Sequence, residues 1–317
     1  LASTIIIDYN SQREACLIPV YHRAVLIYNP VAGKLLEDGG RVTARVMRAL
    51  AAAGHKVAAK PTPGAGRAAS LARDAVAGGA DLVLAFGGDG TINEVAEGLI
   101  GSQVPLGLIP GGTANVLACE LKVGTKPEAA ARHLADWQPR RIATGRVQCA
   151  GTEPRHFLAM AGIGLDAHIV YNMSADVKKK WGKLAYWAGG FGQLARTLEE
   201  FDVVVDGHRH RASFALLTKV RNYGGDLQIA RNVSILDDQF EVVLFEGRNS
   251  FKYLKYFTGV AVNQLQAMKG VTILRGRKAC FRADHCERVY VQIDGEYAGV
   301  LPAQVELTPC ALTLLMP

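Results

Sequence analysis

Residues Ala80–Ile100 read ADLVLAFGGDGTINEVAEGLI, and this stretch decides the fold. Leu82 to Phe86 is a short apolar run, rich in branched and aromatic side chains and bounded by glycine, the pattern of a buried strand. Gly87-Gly88-Asp89-Gly90 is a turn, and an amphipathic helix is expected to begin near Thr91. Glycine tolerates positive φ and lets the backbone approach a ligand, while a helix start offers unpaired N–H groups and the positive end of its dipole. Strand, glycine turn and helix together suit a phosphate, although a bare glycine turn serves as often merely to connect.

Upstream, Ala24–Tyr28 predicts a first parallel strand ending at Asn29-Pro30, ahead of Val31-Ala32-Gly33-Lys34 and a helix from about Gly40 to Ala53. His55–Lys60 predicts a second strand. In the turn Pro61–Gly66 the hydroxyl of Thr62 has two open roles, donating to a phosphate or capping the helix that runs through Val76. Downstream, Leu106–Ile109 is a further strand, Pro110-Gly111-Gly112-Thr113 a second glycine turn and Asn115–Leu121 a helix. Ligands of open α/β sheets gather outside the carboxyl ends of the strands, so these turns belong side by side. No G-x-x-x-x-G-K-[ST] sequence is present, which excludes a P-loop.

From about Arg140 the pattern changes. Thr144–Cys149, Phe157–Ala161, Asp202–Val205, Ala212–Val220, Phe240–Phe245, Gly270–Leu274, Ala279–Ala283 and Val289–Ile293 predict short, closely spaced strands, as in an antiparallel sandwich. His208, Arg209 and His210 are expected in or near a hairpin turn. The expected fold class is therefore α/β: an N-terminal three-layer Rossmann-like nucleotide-binding domain over residues 24–140 and a C-terminal antiparallel β-sandwich domain over 141–317. The last strand, Ala311–Met316, has the option of returning to the first domain. Residues 1–23 form an arm with no assigned role.

At 317 residues the chain suits two domains, and 49% hydrophobic residues with 34 glycines fit a folded protein. A net charge of +7 is compatible with a nucleotide, an anionic membrane or a nucleic acid, but no nucleic-acid module accompanies it. The six cysteines are scattered without a C-x-x-C pair, the usage of reduced thiols in a cytoplasmic protein. No apolar run reaches the roughly 18 residues that span a bilayer, and no signal peptide is evident, so contact with a membrane is expected to be peripheral. Lys178, Lys179, Lys180 and Lys183 beside Trp181, Tyr186 and Trp187 supply a candidate surface for anionic lipid; the alternative is a helix packed on the sheet with a solvated lysine end.

GGDGTINE (Gly87–Glu94), with Asn29-Pro30-Val31-Ala32-Gly33 before it, Pro110–Asn115 after it and Asp294-Gly295-Glu296 near the end, resembles the diacylglycerol kinase catalytic-domain family. That family includes sphingosine and ceramide kinases and bacterial lipid kinases; NAD kinases share GGDG more distantly. The resemblance runs over roughly residues 24–317. It implies phosphorylation of a membrane-lipid hydroxyl by ATP with Mg²⁺, diacylglycerol being the first candidate. A sphingoid base or ceramide, a soluble acceptor as in NAD kinase, or a regulator that binds without turnover remain as alternatives.

The resemblance assigns ATP to Asn29, Pro30, Val31, Ala32, Gly33, Thr62, Gly88, Asp89, Gly90, Thr91, Ile92, Asn93, Glu94, Gly112 and Thr113, with Asp89 also serving the metal. Glu296, or else Asp294, would take the hydroxyl proton. A second, structural Mg²⁺ would lie on Ile235 and Asp238, near Asn222-Tyr223-Gly224-Gly225. Two departures stand out: Val116 replaces an aspartate usual in the bacterial diacylglycerol kinases and absent from the sphingosine and ceramide branch, and Gln239 replaces the glycine of Asp-Asp-Gly. The sequence does not give the oligomeric state; a homodimer is one option.

Overall fold

The computed structural model describes residues 20–38, 40–164, 198–223, 228–248, 256, 259–260, 264–284 and 289–317. The Thr4–Ile7 patch, the Lys178–Trp187 segment, Gly224 and Gly225 lie outside the described residues.

The first half alternates strand and helix: β1 (Ala24–Tyr28), α1 (Gly33–Glu37), α2 (Arg41–Ala52), β2 (Val57–Pro61), α3 (Ala68–Ala77), β3 (Leu82–Gly87), α4 (Asp89–Leu99), β4 (Leu106–Pro110), α5 (Val116–Glu120) and α6 (Pro127–His133). The strands pair in parallel in the order β2-β1-β3-β4. β3 and β4 are buried at every position, because helices cover both faces of a parallel sheet. Val42, Val46 and Leu50 of α2 and Ala68, Ala72 and Ala75 of α3, each at helical spacing, supply those layers. Gly98 of α4 lets α3 close on it: a Cβ there would stand 2.3 Å from the Ala69 carbonyl oxygen.

The second half follows as β5 (Gln138–Cys149), β6 (Arg155–Phe157), β7 (Met160–Gly164), β8 (Phe201–Val205), β9 (His208–Ala212), β10 (Phe214–Thr218), β11 (Phe240–Phe245), β12 (Val271–Gly276), β13 (Lys278–Arg282), β14 (Tyr290–Ile293), β15 (Glu296–Val300) and β16 (Ala303–Met316). One antiparallel sheet runs β12-β11-β10-β7-β14-β15. The facing strands β5, β6, β8, β9, β13 and β16 continue the sheet of the first half, because Leu314 of β16 pairs in parallel with Leu106 of β4. Phe157, Phe201, Phe240 and Phe281 fill the core between the two layers. The structure thus has the expected α/β architecture with an antiparallel sandwich after it. Arg141, where the composition changes, lies inside β5, which pairs with β16 along its whole length.

Two local expectations are corrected, at Phe157–Ala161 and at the start of α4. The single strand expected at Phe157–Ala161 is two, β6 and β7, in different sheets, because the N–H groups of Leu158, Ala159 and Met160 turn to the carboxylate of Asp294. As expected, His208 and His210 lie beside a hairpin turn: they sit in β9, opposite Val205 and Val203, directly after Asp206-Gly207, both at positive φ. α4 starts at Asp89, two residues before the expected Thr91.

Candidate functional site

The parallel registers bring three turns to one sheet edge. Tyr28 pairs with Phe86 and Gly87 with Pro110, so the segments after β1, β3 and β4 leave the sheet together. They are bonded to one another: Asn29 N–H donates to Phe86 O (3.1 Å), Gly111 N–H to Gly87 O (2.8 Å) and Lys34 N–H to Gly111 O (3.2 Å). A Cβ on Gly112 would stand 2.5 Å from the Cα of Gly88, so only glycine permits this approach. Asn115, left-handed at φ 48 and buried, closes the last turn twice: Gly112 N–H donates to its Oδ1 (2.9 Å) and its Nδ2 to Gly112 O (2.8 Å). Asn29 shapes its own turn by accepting Val31 N–H (3.1 Å) and contacts Thr91 Oγ1 at 3.5 Å.

The expected ATP residues divide into three groups. Val31, Pro30 and Thr113 are exposed at the turns, and Gly88 to Gly90 open the first turn of α4. Ile92 and Asn93 are buried within α4, where Ile92 N–H donates to Gly88 O (3.1 Å). Glu94 and Thr62 turn inward. Glu94 accepts Gly66 N–H (2.9 Å) and Ala68 N–H (3.0 Å), so it caps α3 from a neighbouring helix. Thr62 makes no cap; its N–H donates to Tyr28 O (2.8 Å).

The hairpin of β14 and β15 brings two acids from the far end of the chain. Asp294, at φ 47, accepts from Leu158 (2.8 Å), Ala159 (3.0 Å) and Met160 (2.9 Å) and donates its N–H to Met160 O (2.9 Å). Burial pushes its carboxyl up to about 6; the three N–H groups oppose this and the charge of Asp89 adds to it. Glu296 points the other way. Its Oε2 pairs with Arg155 at 2.9 Å, and its Oε1 lies 2.7 Å from where a Cβ on Gly90 would be. Arg155 also donates to the Tyr297 carbonyl at 3.1 Å, so a two-point fork holds the Glu296 segment.

Asp89 lies in the first turn of α4 against the start of α5. Burial raises its pKa, and the backbone N–H groups of Leu117 and Val116 at the start of α5 oppose the rise. Its Oδ1 is enclosed with no hydrogen-bond partner. An orphaned carboxylate oxygen coupled to a second buried acid fits Mg²⁺, which takes one or two carboxylates and completes its shell with water and phosphate. Among the described residues no three His, Cys, Asp or Glu side chains cluster as a metal cage.

The second expected Mg²⁺ position, on Ile235 and Asp238, lies in a loop whose neighbouring carbonyls already have partners. Ile235 buries its side chain in the core, and the carbonyls of Asp237 and Asp238 accept from Lys219 Nζ (2.7 Å) and Arg277 Nε (3.1 Å). Donors thus occupy two backbone carbonyls beside the expected ligands.

Arg155 and Asn115 carry no role in the sequence reading. Asn115 lies in a quoted motif, and a polar residue closing a glycine turn could have been read there. Arg155 has no motif around it; only the pairing of β5 with β6 brings it to Glu296. Glu97 of α4 likewise accepts the N–H of His156 (2.9 Å) and ties α4 to β6.

Residues 23–147 match the model of the diacylglycerol kinase catalytic domain, and residues 159–316 the YegS C-terminal NAD kinase beta sandwich-like domain. The diacylglycerol kinase of Bacillus subtilis (strain 168) is 28% identical over 288 residues, 89% of this chain and 92% of that one. That of Mycobacterium tuberculosis (strain ATCC 25618 / H37Rv) is 29% identical over 248 residues, 77% of this chain and 79% of its own. A crystal structure from Bacillus anthracis str. Sterne superposes with a TM-score of 0.79 at 23% identity, over 94% of this chain and 96% of that one, which establishes the shared fold.

Proposed function

The chain belongs to the diacylglycerol kinase catalytic-domain family and is a lipid kinase by that membership; from this premise we propose that it transfers the γ-phosphoryl group of ATP to a hydroxyl of a diacylglycerol-like membrane lipid. The observation that carries the reading is the placement of Glu296 against Gly90, where an acid from the last hairpin meets the glycine turn at the start of α4.

Phosphoryl transfer asks the protein for positioning and charge neutralisation more than for covalent chemistry. Backbone N–H groups of Gly33, Gly88–Gly90 and Thr113 would hold the phosphates, aided by the positive end of α4, while those of Asn29, Val31, Ala32 and Gly112 close the turns. Asp89, with Asp294 behind it, would hold Mg²⁺, whose chemistry is to neutralise charge on the phosphate oxygens. Glu296 receives the acceptor hydroxyl, orients its oxygen towards the γ-phosphorus and takes its proton as the new O–P bond forms and ADP departs. Asp294 is less suited to that task because three N–H groups already occupy its oxygens.

No helix among the described residues is long and apolar enough to cross a membrane. The lipid is therefore proposed to be met from the water side, in a cytoplasmic and peripherally associated protein.

The test is transfer of labelled γ-phosphate from Mg·ATP to diacylglycerol, phosphatidylglycerol, sphingosine and ceramide in mixed micelles. Labelled phosphatidic acid is expected, with turnover falling about 10²–10⁴-fold in Glu296→Gln and little change in KM for ATP. Val116 favours a second reading, in which sphingosine or ceramide is labelled instead. No labelled lipid, or full turnover in Glu296→Gln, would overturn the proposal.

A further inference from the structure

Lys219 is fully buried, directly after β10. An ammonium group removed from water is tolerated only where acceptors and opposite charge surround it. Its Nζ donates to the carbonyl of Asp237 at 2.7 Å, and the charges of Asp237 and Asp238 favour its protonated form while burial pushes its pKa down to about 8. Arg275 pairs with the carboxylate of Asp237, and Arg277 donates to the carbonyl of Asp238 at 3.1 Å. The loop also ties itself: Asp237 Oδ2 accepts Ser234 N–H (3.1 Å) and Asp237 N–H donates to Ser234 O (2.9 Å).

Among the described residues, Asp237 and Asp238 thus meet Lys219, Arg275 and Arg277, with the buried Glu241 opposite Arg275 in register. A divalent ion would compete with the buried ammonium for this loop, whose Asp237 carbonyl is already taken. We propose that the Lys219 ammonium is a built-in counter-ion standing where a divalent cation would otherwise hold the Ser234–Asp238 loop, so that the sandwich keeps its shape without metal.

The position connects to the reaction site through Ala159. The carbonyl of Ala159 accepts Lys219 N–H at 2.8 Å, and its N–H donates to Asp294 Oδ1 at 3.0 Å. The counter-ion therefore lies behind the backbone segment that holds Asp294, and its presence does not depend on which acceptor the enzyme uses.

Magnesium titration of the nucleotide-free full chain tests the proposal, in an Asp89→Asn background that removes the carboxylate assigned to the nucleotide's metal. Calorimetry is expected to detect no stoichiometric Mg²⁺ uptake, and Tm is expected to agree within about 1 °C between EDTA and excess MgCl₂. One tightly bound Mg²⁺ per chain with a raised Tm would overturn it.

In a second arm, Lys219→Met is expected to lower Tm by roughly 5–10 °C, and by less than half as much in an Asp237→Asn/Asp238→Asn background. An unchanged Tm, or an equal loss in both backgrounds, would reduce Lys219 to packing and overturn the counter-ion role. Should Lys219→Met fail to fold, the magnesium arm decides alone.

Discussion

Glu296 and Gly90 meet across the two halves of the molecule: Oε1 of the glutamate lies 2.7 Å from the point a Cβ on Gly90 would occupy. Gly90 is in the first turn of α4, where alanine would ordinarily gain about 0.5–1 kcal/mol over glycine. The obstructing atom is the end of a flexible side chain, which can swing away. Gly90→Ala is therefore expected to keep or raise Tm while lowering turnover about 10²-fold, the cost of a displacement near 1 Å. A loss of activity that tracks a loss of fold would contradict this.

Arg155 fixes the same carboxylate from the opposite side. The pair is partly exposed, so its worth to stability is small, on the order of 0–1 kcal/mol. Its worth to catalysis lies in the fork that also grips Tyr297 O. Arg155→Ala is expected to lower kcat about tenfold or more with KM for ATP unchanged. Added methylguanidinium should restore part of the loss, and Arg155→Lys, which keeps charge without the fork, should fall between. Equal kcat in all three proteins would remove Arg155 from this role.

Gly112→Ala separates binding from chemistry. Its Cβ would press on the Cα of Gly88 at 2.5 Å and on Asn115 Oδ1 at 3.1 Å, and backbone cannot swing aside. Loss of ATP affinity together with about 1–3 kcal/mol of stability is expected, read by equilibrium dialysis and urea unfolding. Unimpaired ATP binding would show that the two glycine turns need not touch.

Glu94 was assigned to the nucleotide by resemblance, and the structure has it capping α3. Glu94→Ala should destabilise by about 0.5–2 kcal/mol, with faster hydrogen exchange at Gly66 and Ala68 before the rest of the chain. Unaltered exchange there, with weakened ATP binding, would return Glu94 to the nucleotide.

Asp294 sets a pH dependence whose sign follows from its raised pKa. Between the ordinary value of 3.8 and about 6 the folded chain holds a proton that the unfolded chain releases. This contribution to stability is complete below pH 3.8 and is lost as pH rises through 6. Asp294→Asn has no proton to release, so in EDTA its stability relative to wild type should improve across that interval and stay level above it. The carboxyl resonance of Asp294 should titrate lower in Asp89→Asn, which removes one of the charges raising it. A flat difference in stability would mean that Asp294 is ionised throughout.

The sequence by itself determined the parallel half of the fold and the three turns of the site. Apolar runs bounded by glycine and proline carry strand and turn within a few residues, and burial on both faces leaves a continuous hydrophobic signature, as in Leu82–Phe86. It also singled out Asp294 and Glu296, but as one acidic element on a common hairpin signal. Only the tertiary structure gave them different surroundings, because these depend on what other elements bring: N–H groups of residues 158–160 to Asp294, and Arg155 with Gly90 to Glu296. It decided as well that Glu94 caps a helix and that the buried Lys219 ammonium meets the Asp237 carbonyl. Such contacts join residues far apart in the chain, and periodicity and local propensity hold no record of them; burial and charge in the folded molecule do.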